Sequence, residues 1–222
     1  MSENKLIVFL KYPEKGKVKT RLAAKLGHDF VLELCRCMIS DISAITHNVN
    51  ADTIIAYSGP DGASFPDFPG NRVVNQRGKD LGKRMYNAFA DVFSDGAPKC
   101  VLIGSDIPGV TAGLLNEAFK KLEHSDMVIG PASDGGYYCI GFNRESLNKI
   151  IFREIPWSTS DVFSETVKRI QEAGLTAKYL MQLSDIDEIK DLKKYYINNI
   201  NKTGSSRVMK FLKFHKEILN EI

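Results

Sequence analysis

Short runs of apolar residues alternate along the chain with longer stretches in which apolar side chains recur every three or four positions. A continuous apolar run bounded by turn residues is typical of a buried strand, and the wider spacing is typical of an amphipathic helix. The pattern predicts strands at 6–10, 52–58, 72–76, 99–103, 127–129, 137–142 and 175–183. It predicts helices at 28–47, 80–93, 111–122, 158–174, 187–200 and 206–222. Between 59 and 71, three prolines and three glycines indicate a loop.

Strands that alternate with helices predict a sheet with helices on both faces and right-handed crossovers. At 222 residues the chain is long enough for one sizeable α/β domain, and no repeat, low-complexity tract or linker divides it. We therefore expect a single three-layer α/β/α domain over residues 1–222, built on a mainly parallel mixed sheet. The strand at 5–10 should lie inside the sheet, with its carboxyl end on the ligand side.

Capping residues mark several of the predicted helix ends. Thr111 is expected to cap the helix that follows it, and Gly174 is expected to end the helix before it. Asp185 and Asp187 come at the start of the helix predicted at 187–200. We expect at least one of these two carboxylates to be its N-cap.

Composition excludes some classes of function. Lys and Arg outnumber Asp and Glu by only three, so the chain as a whole is not a nucleic-acid-binding polycation. The first apolar run, 6–10, is too short for a signal peptide or a membrane span. The four cysteines include no C-x-x-C pair, and the four histidines have no metal-ligand spacing. We expect a cytoplasmic protein with reduced thiols and no nucleic-acid or membrane partner.

Unusual segments follow four of the predicted strands, at 11–21, 75–82, 104–109 and 130–136. In open α/β sheets the ligand lies outside the carboxyl ends of the strands. Their shared position locates a predicted site better than any one motif does.

The first of these segments is strongly basic. The stretch KYPEKGKVKTRLAAKLG, which begins at Lys11, holds six cationic side chains around Gly16: Lys11, Lys15, Lys17, Lys19, Arg21 and Lys25. It is not a Walker phosphate loop, because Lys11 replaces the first glycine of that motif and Val18 follows Lys17. A glycine that permits close backbone approach, with cations around it, suits phosphate oxygens. A solvated basic loop with no ligand is the alternative interpretation.

Carboxylates follow two further strands. Asp106 comes after the apolar run of VLIGSDIPG, where a carboxylate needs a cation or hydrogen-bond donors. A divalent ion that bridges it to substrate phosphates is one interpretation, and a turn residue that caps local N–H groups is the other. Asp134 precedes Gly135 and Gly136, which permit positive φ and close approach of a ligand. An ordinary Asp-Gly hairpin turn is the alternative there.

Six motifs in chain order carry a resemblance to a known family: KYPEKGKVKTRLAAKLG, QRGKDLGKRM, VLIGSDIPG, GPASDGGYYCIG, PWSTSDV and DIDEIKDL. Over nearly its whole length the chain resembles the DUF2064 family of bacterial glycosyltransferase-like proteins, also called the selenodomain-associated transferase 1 group. That family belongs to the nucleotide-diphospho-sugar transferase (GT-A) superfamily. Its fold is similar to that of the molybdenum-cofactor guanylyltransferases and the 2-phospho-lactate guanylyltransferases.

The resemblance implies roles for the charged residues. Lys19 and Arg21, in a K-T-R-L stretch, would neutralise the nucleotide phosphates. Asp106 would bind Mg²⁺ or Mn²⁺ where GT-A proteins keep a D-x-D motif, although the local sequence S-D-I-P is not a true D-x-D. Asp187 matches a second metal carboxylate of some sugar nucleotidyltransferases, in a stretch that lacks the Thr and Pro of their D-T-P-x-D-L.

Further residues are assigned to the two substrates. The resemblance implies that four residues lie near the nucleobase: Gln76, Gly78, Leu81 and Gly82. Lys11 and Gly16 of the basic loop are predicted nucleotide ligands as well. The expected acceptor-binding residues are Gly135, Gly136, Trp157 and Ser158, of which Trp157 offers a flat apolar face to a sugar or another ring.

Three functions remain open. The first is a metal-dependent glycosyltransferase that uses a nucleotide-sugar donor and a small-molecule acceptor. In it, Asp106 and Lys19 act on the departing nucleoside diphosphate, and Asp134 is a base or orients the acceptor. The second is a guanylyltransferase-like nucleotidyltransferase, which joins a nucleoside triphosphate to a phosphorylated acceptor and releases pyrophosphate. The third is a nucleotide-binding module without catalysis. The sequence does not predict the base, the acceptor or the oligomeric state.

Overall fold

The computed structural model describes residues 3–202, 204 and 206–220. The strands in this part of the chain are β1 (Lys5–Lys11), β2 (Asp52–Ser58), β3 (Arg72–Asn75), β4 (Lys99–Gly104), β5 (Met127–Pro131), β6 (Tyr137–Asn143) and β7 (Ala177–Tyr179). The helices are α1 (Thr20–Leu26), α2 (His28–Thr46), α3 (Leu81–Ser94), α4 (Ala112–Lys121), α5 (Val162–Glu172), α6 (Ile189–Asn199), α7 (Arg207–Phe214) and α8 (Lys216–Asn220). Two short 3₁₀ segments lie between β6 and α5, at Arg144–Ser146 and Lys149–Phe152.

The strands form one seven-stranded sheet in the order β3-β2-β1-β4-β6-β5-β7. All neighbouring pairs are parallel except those that involve β6, which is antiparallel to both β4 and β5. A short turn joins β5 to β6, and a connection of that length can only pair two strands in antiparallel fashion. The predicted mixed, mainly parallel sheet is confirmed, as is the position of β1 inside it.

Helices cover both faces of the sheet. Successive side chains of β1 alternate between the two faces, so Leu6, Val8 and Leu10 pack with α2 and α4, while Ile7 and Phe9 pack with α3 and α5. A strand that is buried on both faces needs apolar residues at every position, which explains its continuous apolar run. The three predicted layers are therefore confirmed.

A third apolar cluster joins the N-terminal and C-terminal parts of the chain. Leu34 of α2 packs there with residues of α1, α6 and α7 such as Leu22, Leu192 and Val208. Asp41 of α2 also caps α7, since its carboxylate accepts hydrogen bonds from the Arg207 and Val208 backbone N–H groups at 2.6 and 3.1 Å. This packing holds the segment before α6 beside the strand ends.

Several predicted boundaries were wrong. Gly27, with φ +83°, separates α1 from α2, and α1 itself lay outside the predicted helices. The last strand is limited to Ala177–Tyr179, and pairing resumes only as a bridge at Leu183. The C-terminal helix is interrupted at His215, whose ring packs against Phe211.

The N-cap predicted for Asp185 or Asp187 was also wrong. Glu188 is the N-cap of α6 and forms a capping box with Asp191, whose carboxylate accepts a hydrogen bond from the Glu188 N–H at 2.8 Å. The side chains of Asp185 and Asp187 are therefore available for contacts elsewhere.

Within the part of the chain that the structure describes, no helix is both long enough and apolar enough to cross a membrane.

Candidate functional site

A cleft lies at the carboxyl ends of the parallel strands, where all four unusual segments of the sequence meet. It consists of two adjoining cavities. The main pocket, of about 740 Å³, runs from Gln76 and Leu81 to Asp134 and Trp157. The inner pocket, of about 540 Å³, lies between the basic loop and α2. The residues that line both are Lys11, Arg21, Ser105, Asp106, Ser158 and Asp187.

Lys19 is the most deeply buried charged group of the cleft. Its side chain is only 4% exposed, and its ammonium lies 3.1 Å from Asp187 Oδ1 and 3.5 Å from Asp106 Oδ2. Burial alone would lower the pKa of Lys19, but the two carboxylates more than offset this effect and the pKa is raised above its usual value. Lys19 is therefore charged at neutral pH.

The backbone of Lys19 is strained. It is the N-cap of α1 in the left-handed region, with φ +40° and ψ +52°, which a residue with a Cβ rarely adopts. Such strain persists only where the surroundings determine the conformation, and it is common at functional sites. Here it accompanies the inward direction of the lysine side chain.

Most other cations of the basic loop already have partners. The contacts are Lys15 with Asp29 (2.7 Å), Lys17 with Glu14 (2.8 Å), and Lys11 Nζ with the Lys17 carbonyl (2.6 Å). Arg21 is exposed at the cleft and makes no ion pair among the described residues. Lys25 also has no ion pair among the described residues, but it does not line the cleft. Arg21, whose charge is felt by nearby Glu188, is therefore the cation of this loop that lines the cleft without an ion pair.

The surroundings of Asp106 weigh against a mere turn residue. Its carboxylate accepts a hydrogen bond from the Ser105 hydroxyl at 3.1 Å and pairs with Lys19. Among the described residues no backbone N–H donates to the Asp106 carboxylate, whereas the turn interpretation requires such donors. Thr111, as predicted, caps the following helix α4. The Asp106 side chain remains 64% exposed and faces the cleft.

Asp185 is a carboxylate of the main pocket that the sequence reasoning treated only as a cap. Its pKa is raised by burial and further by the nearby charges of Asp134 and Asp187. The sequence did contain a signal, since the apolar residue Ile186 stands between Asp185 and Asp187. Ile186 is buried in the structure, and its burial fixes which side of the segment the two carboxylates occupy. The segment before α6 therefore adds two acidic groups to the cleft.

Asp106 and Asp187 can be tested as a metal site. They belong to segments far apart in the chain, yet both reach the same cation position, which the Lys19 ammonium holds. Carboxylate oxygens are the ligands that Mg²⁺ and Mn²⁺ prefer, and Mg²⁺ usually takes one or two of them plus phosphates and water. Within the described residues, no cluster of three or more metal-binding side chains exists. The donor set thus fits a metal ion that arrives with a phosphate ligand.

Asp134 has the conformation of a hairpin turn and also lines the main pocket. Its Oδ1 accepts a hydrogen bond from the Gly136 N–H at 2.8 Å, as in the turn interpretation. Gly135 has φ +91°, and a Cβ there would collide with the Ser160 backbone. The glycine therefore lets the loop before α5 close over this turn, while the catalytic role of Asp134 stays a prediction.

The residues predicted near the nucleobase divide into two kinds. Gln76 lines the main pocket, and its Nε2 donates hydrogen bonds to the Leu10 carbonyl of β1 and the Ala56 carbonyl of β2, at 3.1 and 3.0 Å. Leu81 presents an apolar surface there, with 42% of it exposed. Gly82 instead packs outside the pocket, since a Cβ would lie 2.6 Å from Trp157 Cζ2. Gly82 is thus needed for the position of Trp157.

Ser158 lines both pockets, and Trp157 precedes it in the chain. Trp157 lines the main pocket and meets Tyr137 edge to face, with ring centroids 6.4 Å apart. Ser158 has φ +69°, a second strained residue of the cleft.

Most of the predicted site residues come together. The cleft is lined by Lys11, Lys19, Arg21, Gln76, Leu81, Asp106, Asp134, Gly136, Trp157, Ser158 and Asp187. The glycines at 16, 78, 82 and 135 do not line it.

Comparison with known proteins gives both a family and relatives. A family described as an uncharacterized protein conserved in bacteria (DUF2064) matches residues 41–159. A crystal structure described as a candidate nucleotide-diphospho-sugar transferase from Desulfovibrio desulfuricans G20 is 36% identical, with a TM-score of 0.94 over 100% of this chain and 98% of that one. The chain therefore has the nucleotide-diphospho-sugar transferase fold.

More distant matches include named nucleotidyltransferases. The 2-phospho-L-lactate guanylyltransferase of Methanocaldococcus vulcanius is 22% identical over 96% of this chain and 93% of its own length. The structure of a CMP:2-keto-3-deoxy-manno-octonic acid synthetase in complex with CTP has a TM-score of 0.57 at 12% identity, over 87% of this chain and 97% of that one. At that identity the structural likeness shows the fold alone.

Proposed function

The chain belongs to the DUF2064 family, and we propose that it is a nucleotidyltransferase. In this proposal it joins the nucleoside monophosphate part of a nucleoside triphosphate, GTP in the first place, to a small phosphorylated acceptor and releases pyrophosphate. The name of the M. vulcanius relative, a guanylyltransferase, supports this reaction class.

One observation carries the proposal. Asp106, at the end of β4, and Asp187, before α6, converge on the ammonium of Lys19 at 3.5 and 3.1 Å. Our sequence comparison expects a D-x-D pair within one loop for a glycosyltransferase, and a second carboxylate from a later segment for a sugar nucleotidyltransferase. The observed pair comes from two segments and so favours the nucleotidyltransferase.

Asp106 and Asp187 would hold a divalent ion. When bound, Mg²⁺ or Mn²⁺ would neutralise the triphosphate and the charge that develops on the leaving pyrophosphate. Cationic side chains would also position the phosphates and stabilise their negative charge, because phosphoryl-type transfers depend on positioning and charge more than on covalent catalysis. Arg21 can bind two phosphate oxygens at once, and Lys19 carries a charge that is already desolvated.

The bonds of the reaction balance without an added base. An oxygen of the acceptor phosphate attacks the α-phosphorus of the triphosphate, one P–O bond forms, and the bond to the β-phosphate breaks with release of pyrophosphate. The attacking oxygen is already anionic, so no proton has to be removed. Asp134 is then an acceptor-orienting group in the main pocket rather than a base.

A glycosyltransferase is the second candidate. It is favoured by Trp157, which offers a ring face in the main pocket, and by the description of the D. desulfuricans relative. In that reaction the attacking group is a hydroxyl, so Asp134 would have to act as a base.

The test is a comparison of released products. The protein is incubated with GTP or CTP, Mg²⁺ or Mn²⁺ and a panel of phosphorylated acceptors that includes 2-phospho-L-lactate, and pyrophosphate is measured. Parallel reactions contain UDP- or GDP-sugars, and nucleoside diphosphate is measured. We expect pyrophosphate release that falls at least about a hundredfold in Asp187→Asn, on the scale of lost electrostatic stabilisation at a catalytic centre.

Asp29→Asn is the matched control, because Asp29 pairs with Lys15 outside the cleft and its loss should leave the rate unchanged. Release of nucleoside diphosphate without pyrophosphate would favour the glycosyltransferase. Nucleotide binding without either product would favour a binding module.

A further inference from the structure

Arg84 is a cation of the main pocket to which none of the predicted roles applies. It lies in the first turn of α3, half-buried, three residues after Leu81 on the same side of the helix. Its Nε donates a hydrogen bond to the Gly78 carbonyl at 3.2 Å. A Cβ at Gly78 would lie 2.7 Å from the Arg84 backbone nitrogen, so the absent side chain is what allows the loop to pack closely against the start of α3. One edge of the guanidinium is fixed, and its two Nη groups remain as donors.

The other cations of this segment have partners or do not line the main pocket, whereas Arg84 lines it and has no ion pair among the described residues. Lys79 lines neither pocket. Arg77 binds both carboxylate oxygens of Asp91, at 2.7 and 2.5 Å. Lys83 lies over the ring of Tyr86, 5.1 Å from its centroid. Arg84 is thus the cation of this segment that can bind a ligand in the main pocket.

The cations of the basic loop lie toward the inner pocket. Lys19 lines only the inner pocket, Arg21 lines both pockets, and Arg84 lines only the main pocket. A nucleotide whose phosphates contact Lys19 and Arg21 would direct its base into the main pocket. Next to Arg84 the walls of that pocket are apolar, formed by Phe9, Leu10, Leu81 and Met85, and they suit a planar base.

From this arrangement we propose that Arg84 selects the nucleobase, and that the base is guanine, recognised through its O6 and N7 atoms. Arginine carries donors and no acceptors, and guanine presents two adjacent acceptors at that edge, whereas adenine places an amino donor beside its N7. Arg84 would therefore favour guanine and reject adenine. This inference rests on the proposed function, since it requires a nucleotide in the cleft.

The test is a set of calorimetric titrations with Mg²⁺ and without acceptor, so that the triphosphates are not consumed. GTP, ITP, ATP and CTP are titrated into wild type, Arg84→Met, Arg84→Lys and, as the matched control, Arg77→Met. We expect Arg84→Met to weaken the binding of GTP and ITP roughly tenfold or more and to leave the affinity for ATP unchanged. ITP keeps O6 and N7 but lacks the 2-amino group, so it isolates the proposed edge.

The variants and 7-deaza-GTP separate the role of shape from that of charge. Arg84→Lys keeps the charge but loses the fork, so we expect it to weaken GTP almost as much as Arg84→Met does. Wild type should bind 7-deaza-GTP more weakly than GTP, and Arg84→Met should bind the two alike. Arg77→Met should resemble wild type throughout.

Four results would overturn the inference. In Arg84→Met, these are an equal loss of affinity for all four nucleotides, a loss of affinity for CTP alone, and no loss of affinity at all. The fourth is that Arg84→Lys binds GTP as tightly as wild type. CTP is included because its O2 and N3 also form a pair of acceptors. These results concern binding alone. The proposed function fails separately, when no acceptor supports pyrophosphate release by wild type.

Discussion

Lys19 and the predicted metal ion require the same carboxylate oxygens. The ammonium already lies between Asp106 and Asp187, so a divalent ion that arrives without nucleotide must displace it. Removing the ammonium in Lys19→Met should raise the affinity for Mn²⁺ alone by roughly tenfold, the scale of one charged hydrogen bond. Free Mn²⁺ can be measured by electron paramagnetic resonance.

Lys17→Met is the control for this experiment, because Lys17 pairs with Glu14 at the surface of the same loop. It should leave Mn²⁺ affinity unchanged. If Lys19→Met has no more effect than the control, Asp106 and Asp187 are not the metal ligands.

The absence of a side chain at Gly82 allows the wall of the main pocket at Trp157 to pack closely. A Cβ at this position would lie 2.6 Å from Trp157 Cζ2 and 2.7 Å from the Phe152 carbonyl oxygen. Gly82→Ala should lower the free energy of unfolding by ~1–3 kcal/mol, since the wall cannot accept the methyl group without moving. Urea unfolding measures this.

Gly113→Ala is the matched glycine substitution, in the helix α4. The nearest atom to a Cβ there is Thr111 Oγ1 at 3.9 Å, so the methyl group has room. It should stabilise the protein by about 0.5–1 kcal/mol, because alanine loses less backbone entropy than glycine in a helix. Equal effects of the two substitutions would contradict the packing argument.

At the scale of elements, Asp126 ties the edge strand β7 to β5. Its Oδ2 accepts hydrogen bonds from the Thr176 N–H and hydroxyl, at 2.8 and 2.6 Å, which holds the pKa of Asp126 below its usual value. A carboxyl group whose pKa is lowered by folding stabilises the folded state at every pH above its pKa in the unfolded chain, about 3.9. This stabilisation is lost as the pH falls through the lower pKa of the folded state.

Asp126→Asn should therefore cost ~1 kcal/mol at about pH 6, the scale of a net hydrogen bond. The difference from wild type should shrink as the pH is lowered toward 3 and below. Urea unfolding at several pH values measures both. A difference that stays constant with pH would mean that the ionised carboxylate is not what holds Thr176.

Elements with strong periodicity were predictable, and those that depend on neighbours were not. The range of β2 is the predicted one, and α2 begins at His28 as its pattern indicates. The stretch at 175–183 is apolar enough for a strand, but only Ala177–Tyr179 pairs continuously with β5. The cap of α6 was missed because Asp is a preferred N-cap residue and Glu is not. Glu188 takes that position through its capping box with Asp191.

At the scale of the whole molecule, a ligand that binds only the folded state raises its stability. Mg²⁺ and GTP at about a hundred times the dissociation constant should add ~2.7 kcal/mol, or roughly 5–10 °C in melting temperature for a chain of this size. Asp106→Asn should abolish most of the metal-dependent part of this shift, as thermal melts with Mg²⁺ or EDTA can measure.

The same substitution should change the ligand-free melting temperature little. The Asp106 side chain is 64% exposed, and exposed ion pairs contribute little to folding stability. If GTP raised the melting temperature of wild type as much in EDTA as in Mg²⁺, the metal interpretation would be contradicted.

The location of the cleft could be predicted, because the carboxyl ends of parallel strands share one edge of a sheet. The partners of Lys19 could not be predicted with the same directness, since they depend on how distant segments pack. Arg84 was missed for a simpler reason. Beside Lys83 in an amphipathic helix it has the sequence pattern of a solvated face, and only the fold shows that it lines the pocket.

The ion pair between Lys19 and Asp187 joins residues 168 positions apart, and this has a consequence for biosynthesis. A ribosome adds about 5–20 residues per second, so Lys19 emerges well before its second counter-charge exists. Burying an ammonium that lacks a carboxylate partner is costly, and the basic loop should therefore stay open on the nascent chain. The site closes only when the segment before α6 has been made, so an unfinished chain should not capture nucleotide.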